Sequence, residues 1–193
     1  SALGIGLSGV QQHEAALSVK EAELSMEQRL GGCESMILAI QSNLANSYTS
    51  LGRHEQALQL KRDAYSGILK VYGEENQNTL REANNYASSL MQLQHYAKAR
   101  SLLRRTIPVA RRVLAESDDL QFRMRIACNR ALCENPAKTL DDLREAVSMI
   151  EEIEPTARRV LGGAHPFTVE VERNLGDVRA ALRARETPPP GSA

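Results

Sequence analysis

Apolar residues recur along this chain at helical spacing, in stripes that stop and restart at short polar breaks. Leu38, Leu44, Ala45, Tyr48 and Leu51 form one stripe, closed by Leu51-Gly52. A second begins near His54, carries Ala57, Leu58, Leu60, Ala64, Ile68, Leu69 and Val71, and ends at Tyr72-Gly73. Tyr86, Ala87 and Leu90, then Ala99, Leu102, Leu103, Ile107 and Val113, repeat the arrangement. Each pair of stripes predicts two helices joined by a short turn. The small residues Ala45, Ala57 and Ala64 let their backbones approach closely in an antiparallel hairpin. Pro108 is expected to kink the helix that contains it.

The stripes share one period. Gly31 and Gly73 lie 42 residues apart, as do Leu38 and Leu80, Asn43 and Asn85, Ala45 and Ala87, Leu51 and Leu93, and Ala57 and Ala99. The same step leads from Leu80 to Phe122 and from Leu90 to Leu132. The phase then slips by five residues, since Ala146 stands 16 before Gly162 as Ala57 stands 16 before Gly73. The insertion falls in 133–142, where Asn135-Pro136 signals a turn and Thr139 or Asp141 is placed to cap the next helix.

The segment IQSNLANSYTSLGRHEQAL, residues 40–58, is similar to the tetratricopeptide repeat, matching it at Leu44, Ala45, Tyr48, Gly52 and Ala57, with Ala64 beyond. The 42-residue period and the linker VLGGAHPFT at 160–168, with its diverged copy VYGEENQNT at 71–79, resemble the variety seen in kinesin light chains. The third copy departs most: Ala127 and Asn129 stand where an Asn and an Ala are expected, and Thr106 replaces a small apolar residue in the second copy. The resemblance implies an all-α fold, a right-handed superhelical solenoid of antiparallel helix pairs. On this alignment residues 1–9 are the remnant of a preceding helix or cap, and 10–36 an unpaired first helix and linker. Repeats follow at 37–79, 80–121 and 122–165, then a capping helix at 166–186 and a flexible tail at 187–193. The start at Ser1, without Met and with half of a first repeat, reads as an excerpt of something longer.

Composition agrees with helices. Aromatic residues make up 4% of the 193, so the core must come from Leu, Ala, Val, Ile and Met, a helical palette because Ala and the straight-chain residues lose least on entering a helix. No apolar run is long enough to span a bilayer and no secretory signal is visible. The odd number of cysteines, Cys33, Cys128 and Cys133, reads as free thiols in a reducing compartment. The expected location is therefore cytoplasmic, with an organelle interior after processing as the alternative.

Formal charge sums to zero, which argues against nucleic-acid binding through bulk charge. The balance is not local: 98–130 holds nine bases and three acids, 134–154 seven acids and two bases. Compensation between neighbouring helices explains this simply. His13, His54, His95 and His165 are scattered, the last three placed by the repeat, and Gly31-Gly32 and Gly162-Gly163 cap helices rather than cradle phosphate. No catalytic, metal or cofactor site is expected.

The expected activity is capture of a partner. In stacked helix pairs the first helix of each pair lines a concave face. That face would offer Gln41, Ser42, Asn43, Asn46 and Ser50, then Arg81, Asn84, Asn85, Ser88 and Gln92, then Arg123, Ile126, Ala127 and Arg130, and finally Glu170, Arg173, Asn174 and Asp177. An amide side chain both donates and accepts, so a ladder of Asn can hold the backbone of an extended peptide. The resemblance implies this role for Asn43, Asn85 and Asn174. Arg81, Arg123 and Arg130 would favour an acidic peptide through charge-assisted bonds. The competing expectation is a structural subunit or homodimer that packs by its outer face and open N-terminal helix; a regulatory domain of a larger enzyme is a third.

Overall fold

A computed structural model describes residues 2–116 and 118–186, with side chains described from residue 14 onward apart from Ala16. The expected tail at 187–193 and the side chain of His13 lie outside the described residues. All the regular structure among them is helical, in eight helices: α1 (Ala2–Leu30), α2 (Glu34–Ser50), α3 (His54–Tyr72), α4 (Gln77–Gln92), α5 (Tyr96–Val113), α6 (Asp119–Cys133), α7 (Leu140–Leu161) and α8 (Pro166–Glu186). α1 runs unbroken across the boundary expected at residue 9. The chain forms two compact units, one up to His95 and one from Tyr96.

In the first unit α2 and α3 pack as a hairpin. Ala45, Ala57 and Ala64 are wholly buried, and Gly67 lies so close to Leu38 that an added Cβ would collide with the leucine side chain. On the α1 side, Leu17 and Leu24 close over Leu44, Tyr48 and Leu60. Lys20 donates to the Ser47 hydroxyl at 2.7 Å and the Tyr48 hydroxyl donates to Glu21. α3 meets α4 through Tyr65 and Tyr86, whose rings stack at 6.0 Å. Gly52 and Gly73, at φ 73° and 78°, adopt the left-handed conformation that ends α2 and α3, where any side chain would be strained.

The second unit is built on α6, α7 and α8. Phe122, Leu132, Leu143, Ala146, Ile150, Ile153, Val171 and Val178 form its core, and Phe122 meets Phe167 at 5.3 Å. The inserted segment ends in a capping box. The Thr139 hydroxyl accepts from the Asp142 N–H at 3.1 Å, and the Asp142 carboxylate accepts from the Thr139 N–H at 2.8 Å. The two linker copies place matching threonines. Thr79 and Thr168 each follow their helix-ending glycine by six residues and are both buried, and Thr79 donates to the Gly73 carbonyl at 2.7 Å.

α5 continues as helix through Pro108 to Val113. The ring removes one backbone donor, yet Thr106, Ile107, Val109 and Ala110 around it are buried, which holds the helix on either side. Thr106 is accommodated by its own helix, its hydroxyl donating to the Leu102 carbonyl at 3.0 Å. α7 likewise continues through Pro155, 47 residues after Pro108, which is one period plus the five-residue insertion.

Candidate functional site

The groove residues of the first unit come together between α2 and α4. Asn43, Asn46, Arg81 and Asn85 line one cavity of about 370 Å³, with Leu38, Ile68 and Tyr72 on its apolar side. Helical periodicity explains the grouping: 43 and 46 lie one turn apart on α2, and 81 and 85 one turn apart on α4. Asn43, Asn46 and Arg81 are exposed and Asn85 half-buried, so their polar atoms face the opening.

The sequence reading did not include Glu82, which is 8% exposed and lines the same cavity. The Ser42 hydroxyl sits 3.0 and 2.9 Å from its two carboxylate oxygens, and Asn85 Nδ2 donates to it at 3.4 Å. Lys61, also buried, faces this carboxylate electrostatically; burial holds its ammonium below the usual lysine range and Glu82 partly offsets that. Beside it, Arg81 donates to the Asn78 side-chain oxygen at 3.1 Å. The segment thus combines amide groups, one exposed guanidinium and one fixed carboxylate. It can bond a peptide main chain in both senses, as donor and as acceptor.

Apart from Ser42, which also lines it, the other expected residues fall outside this cavity. Asn84 is buried, and Ser88 gives its hydroxyl to the Asn84 carbonyl at 3.0 Å. In the second unit Arg123 pairs with Asp119 at 2.8 Å within α6, and Arg130 with Glu134, just past the end of α6, at 2.9 Å. Asn174 is half-buried on α8. Ile126 and Ala127 are buried core rather than groove surface.

Asn129 explains the third copy's departure. It is 3% exposed and donates to the Ala146 carbonyl of α7 at 2.8 Å, so the asparagine that left the groove position now joins two helices. The uneven charge also resolves inside the unit. Arg100 pairs with Asp142, Arg104 Nε with Glu145 at 3.0 Å, and Arg111 with Glu152 at 2.7 Å, so basic α5 and acidic α7 neutralise each other. Exposed pairs of this kind contribute little individually, about 0–1 kcal/mol.

The three cysteines are free. Burial pushes the Cys128 and Cys133 thiols up to about 11. Among the described residues no three His, Cys, Asp or Glu gather to hold a metal ion, and no helix is long and apolar enough to cross a membrane.

Comparison with known proteins agrees with this architecture. Residues 36–112 match the tetratricopeptide repeat. Among solved structures, the kinesin light chain nearly identical TPR-like repeats of Podosopora anserina superpose with a TM-score of 0.79 at 19% identity, over 96% of this chain and 86% of theirs. BtubC (BKLC) from P. vanneervenii superposes with a TM-score of 0.54 at 17% identity, over 96% and 80%. No curated protein matches the sequence. The likeness to the tetratricopeptide repeat thus covers residues 36–112, and the fold is the one seen in the kinesin-light-chain repeat structures.

Proposed function

We propose that the module is non-catalytic and captures an extended peptide segment of a partner protein in the groove between α2 and α4. The observation that carries this is the convergence of Asn43, Asn46, Asn85 and Arg81 on one cavity with a partly apolar wall. The amides bond the peptide main chain whatever its sequence, and Ile68 and Tyr72 contact one apolar side chain. An acidic residue of the peptide meets Arg81, whereas Glu82 disfavours a second acid nearby. Arg123 and Arg130 add to this preference only where they leave their carboxylate partners. A reducing, cytoplasmic setting suits the free thiols. Selection of peptides from a displayed library, followed by fluorescence titration, tests the reading. Selected peptides should lose at least about tenfold in affinity on Asn43→Ala with Asn85→Ala, roughly one lost hydrogen bond per site. Unchanged affinity in that double variant contradicts it.

A second reading, self-association through the first helix, is favoured by one observation. Val19, Met26 and Leu30 of α1 are 68%, 55% and 71% exposed, at spacings of seven and four that place them along one side of the helix. Sedimentation of the parent and of Met26→Glu with Leu30→Glu decides it: a dimer that dissociates in the variant supports self-association, and a parent monomer at micromolar concentration rejects it.

A further inference from the structure

The second unit holds a charged side chain that its own packing does not explain. Arg125 of α6 is 8% exposed, and its Nε has no hydrogen-bond partner among the described residues. Its nearest acid is Glu152, whose Oε2 lies 3.4 Å from Arg125 Nη2 but 2.7 Å from Arg111 Nη2. One carboxylate therefore serves two guanidiniums, with the buried one at the longer distance. Leaving a buried charge so weakly paired costs stability. The repeat does not require it, because one and two periods earlier the same position holds the wholly buried Ala83 and the half-buried Gln41.

Arg125 also lines a cavity. Together with Arg111, Gln121, Glu152, Thr156 and Glu116 it encloses about 410 Å³, room for a small oxyanion. Gln121 is committed elsewhere, donating to the Leu114 and Ala115 carbonyls at 3.0 Å each. Glu116 is engaged by Arg159 at 2.7 Å. The cavity wall thus carries two guanidiniums, Arg111 and Arg125, and two carboxylates, of which Glu116 is neutralised by Arg159 and Glu152 is shared by both arginines. Burial together with the neighbouring Arg111 disfavours the charged form of Arg125, the strain that an added anion relieves.

We propose that this cavity is a binding site for a phosphate or carboxylate oxyanion, held by the guanidinium groups of Arg125 and Arg111. Guanidinium groups recognise both anions through paired charge-assisted bonds. The site is separate from the peptide groove and stands or falls independently of it.

The test is calorimetric titration of the full chain with inorganic phosphate and, separately, sodium acetate, at low ionic strength against sodium chloride of matched ionic strength. Saturable one-to-one binding of either anion, with a raised Tm, is expected; the preferred anion identifies a phosphoryl or a carboxylate ligand. Arg125→Met should abolish the binding while raising the Tm of the free protein, because it removes a poorly paired buried charge. Arg111→Gln, at a half-exposed position that tolerates change, should weaken binding by about tenfold, the worth of one charge-assisted bond. Absence of saturable binding for both anions overturns the proposal, as does binding that survives Arg125→Met. A lower Tm in Arg125→Met with no anion effect in the parent assigns the arginine to structure alone.

Discussion

Asn129 and the Ala146 carbonyl are joined by a 2.8 Å hydrogen bond between α6 and α7, at positions where the first repeat places Ala45 and Ala57. A polar bond thus replaces an alanine contact at one helix crossing. Asn129→Ala should destabilise the protein by ~1 kcal/mol, the net worth of a buried neutral hydrogen bond. Asn129→Asp should cost more, because a buried carboxylate would face the carbonyl oxygen without a donor. Urea unfolding followed by circular dichroism gives both values, and an aspartate variant no less stable than the alanine variant contradicts this role.

The capping box of α7 makes stability pH-dependent. The Thr139 N–H, with Arg100 alongside, holds the Asp142 carboxyl below the usual carboxylate range. A depressed folded-state pKa contributes stability above the unfolded value of 3.8 and loses it as pH falls through the folded value. Asp142→Asn should therefore lower Tm at neutral pH, and the gap from the parent should close in acid. A constant gap from neutral pH into acid argues against the coupling.

Thiol reactivity should divide sharply. Cys33 is exposed and its thiol lies below the usual range because Ser35 bonds to it, whereas burial raises Cys128 and Cys133 to about 11. A disulfide reagent near neutral pH should modify one thiol per chain rapidly and the other two only after denaturant is added. Rapid modification of all three in the folded protein contradicts the burial.

Much of this was legible in the amino-acid order, for reasons that particular residues make clear. The 42-residue step located the helix pairs because Ala45, Ala57, Ala87 and Ala99 all need zero exposure, and only small residues meet that need. Periodicity also brought Asn43, Asn46, Arg81 and Asn85 to one cavity. It misplaced Asn84 because one residue of helix turns a side chain by about 100°, enough to move it from groove to interior. Glu82 escaped notice because an acid beside Arg81 reads as solvated surface; its partner Ser42 lies in the preceding repeat, and only the folded chain joins them. The Asn129 and Ala127 exchange was visible as a departure, but its meaning depended on the Ala146 carbonyl across the crossing. Thr106 and Pro108 look disruptive in sequence and are absorbed by a helix that bonds the one and buries the residues on either side of the other.

The groove is tested most directly by residue-resolved NMR of the chain titrated with a selected peptide. Side-chain amide resonances of Asn43, Asn46 and Asn85 should shift together with saturation, and Arg81 Nε should follow when the peptide carries an acid. Shifts confined to α1, or to helices of the second unit, with these amides unmoved at saturation, contradict the peptide-groove account.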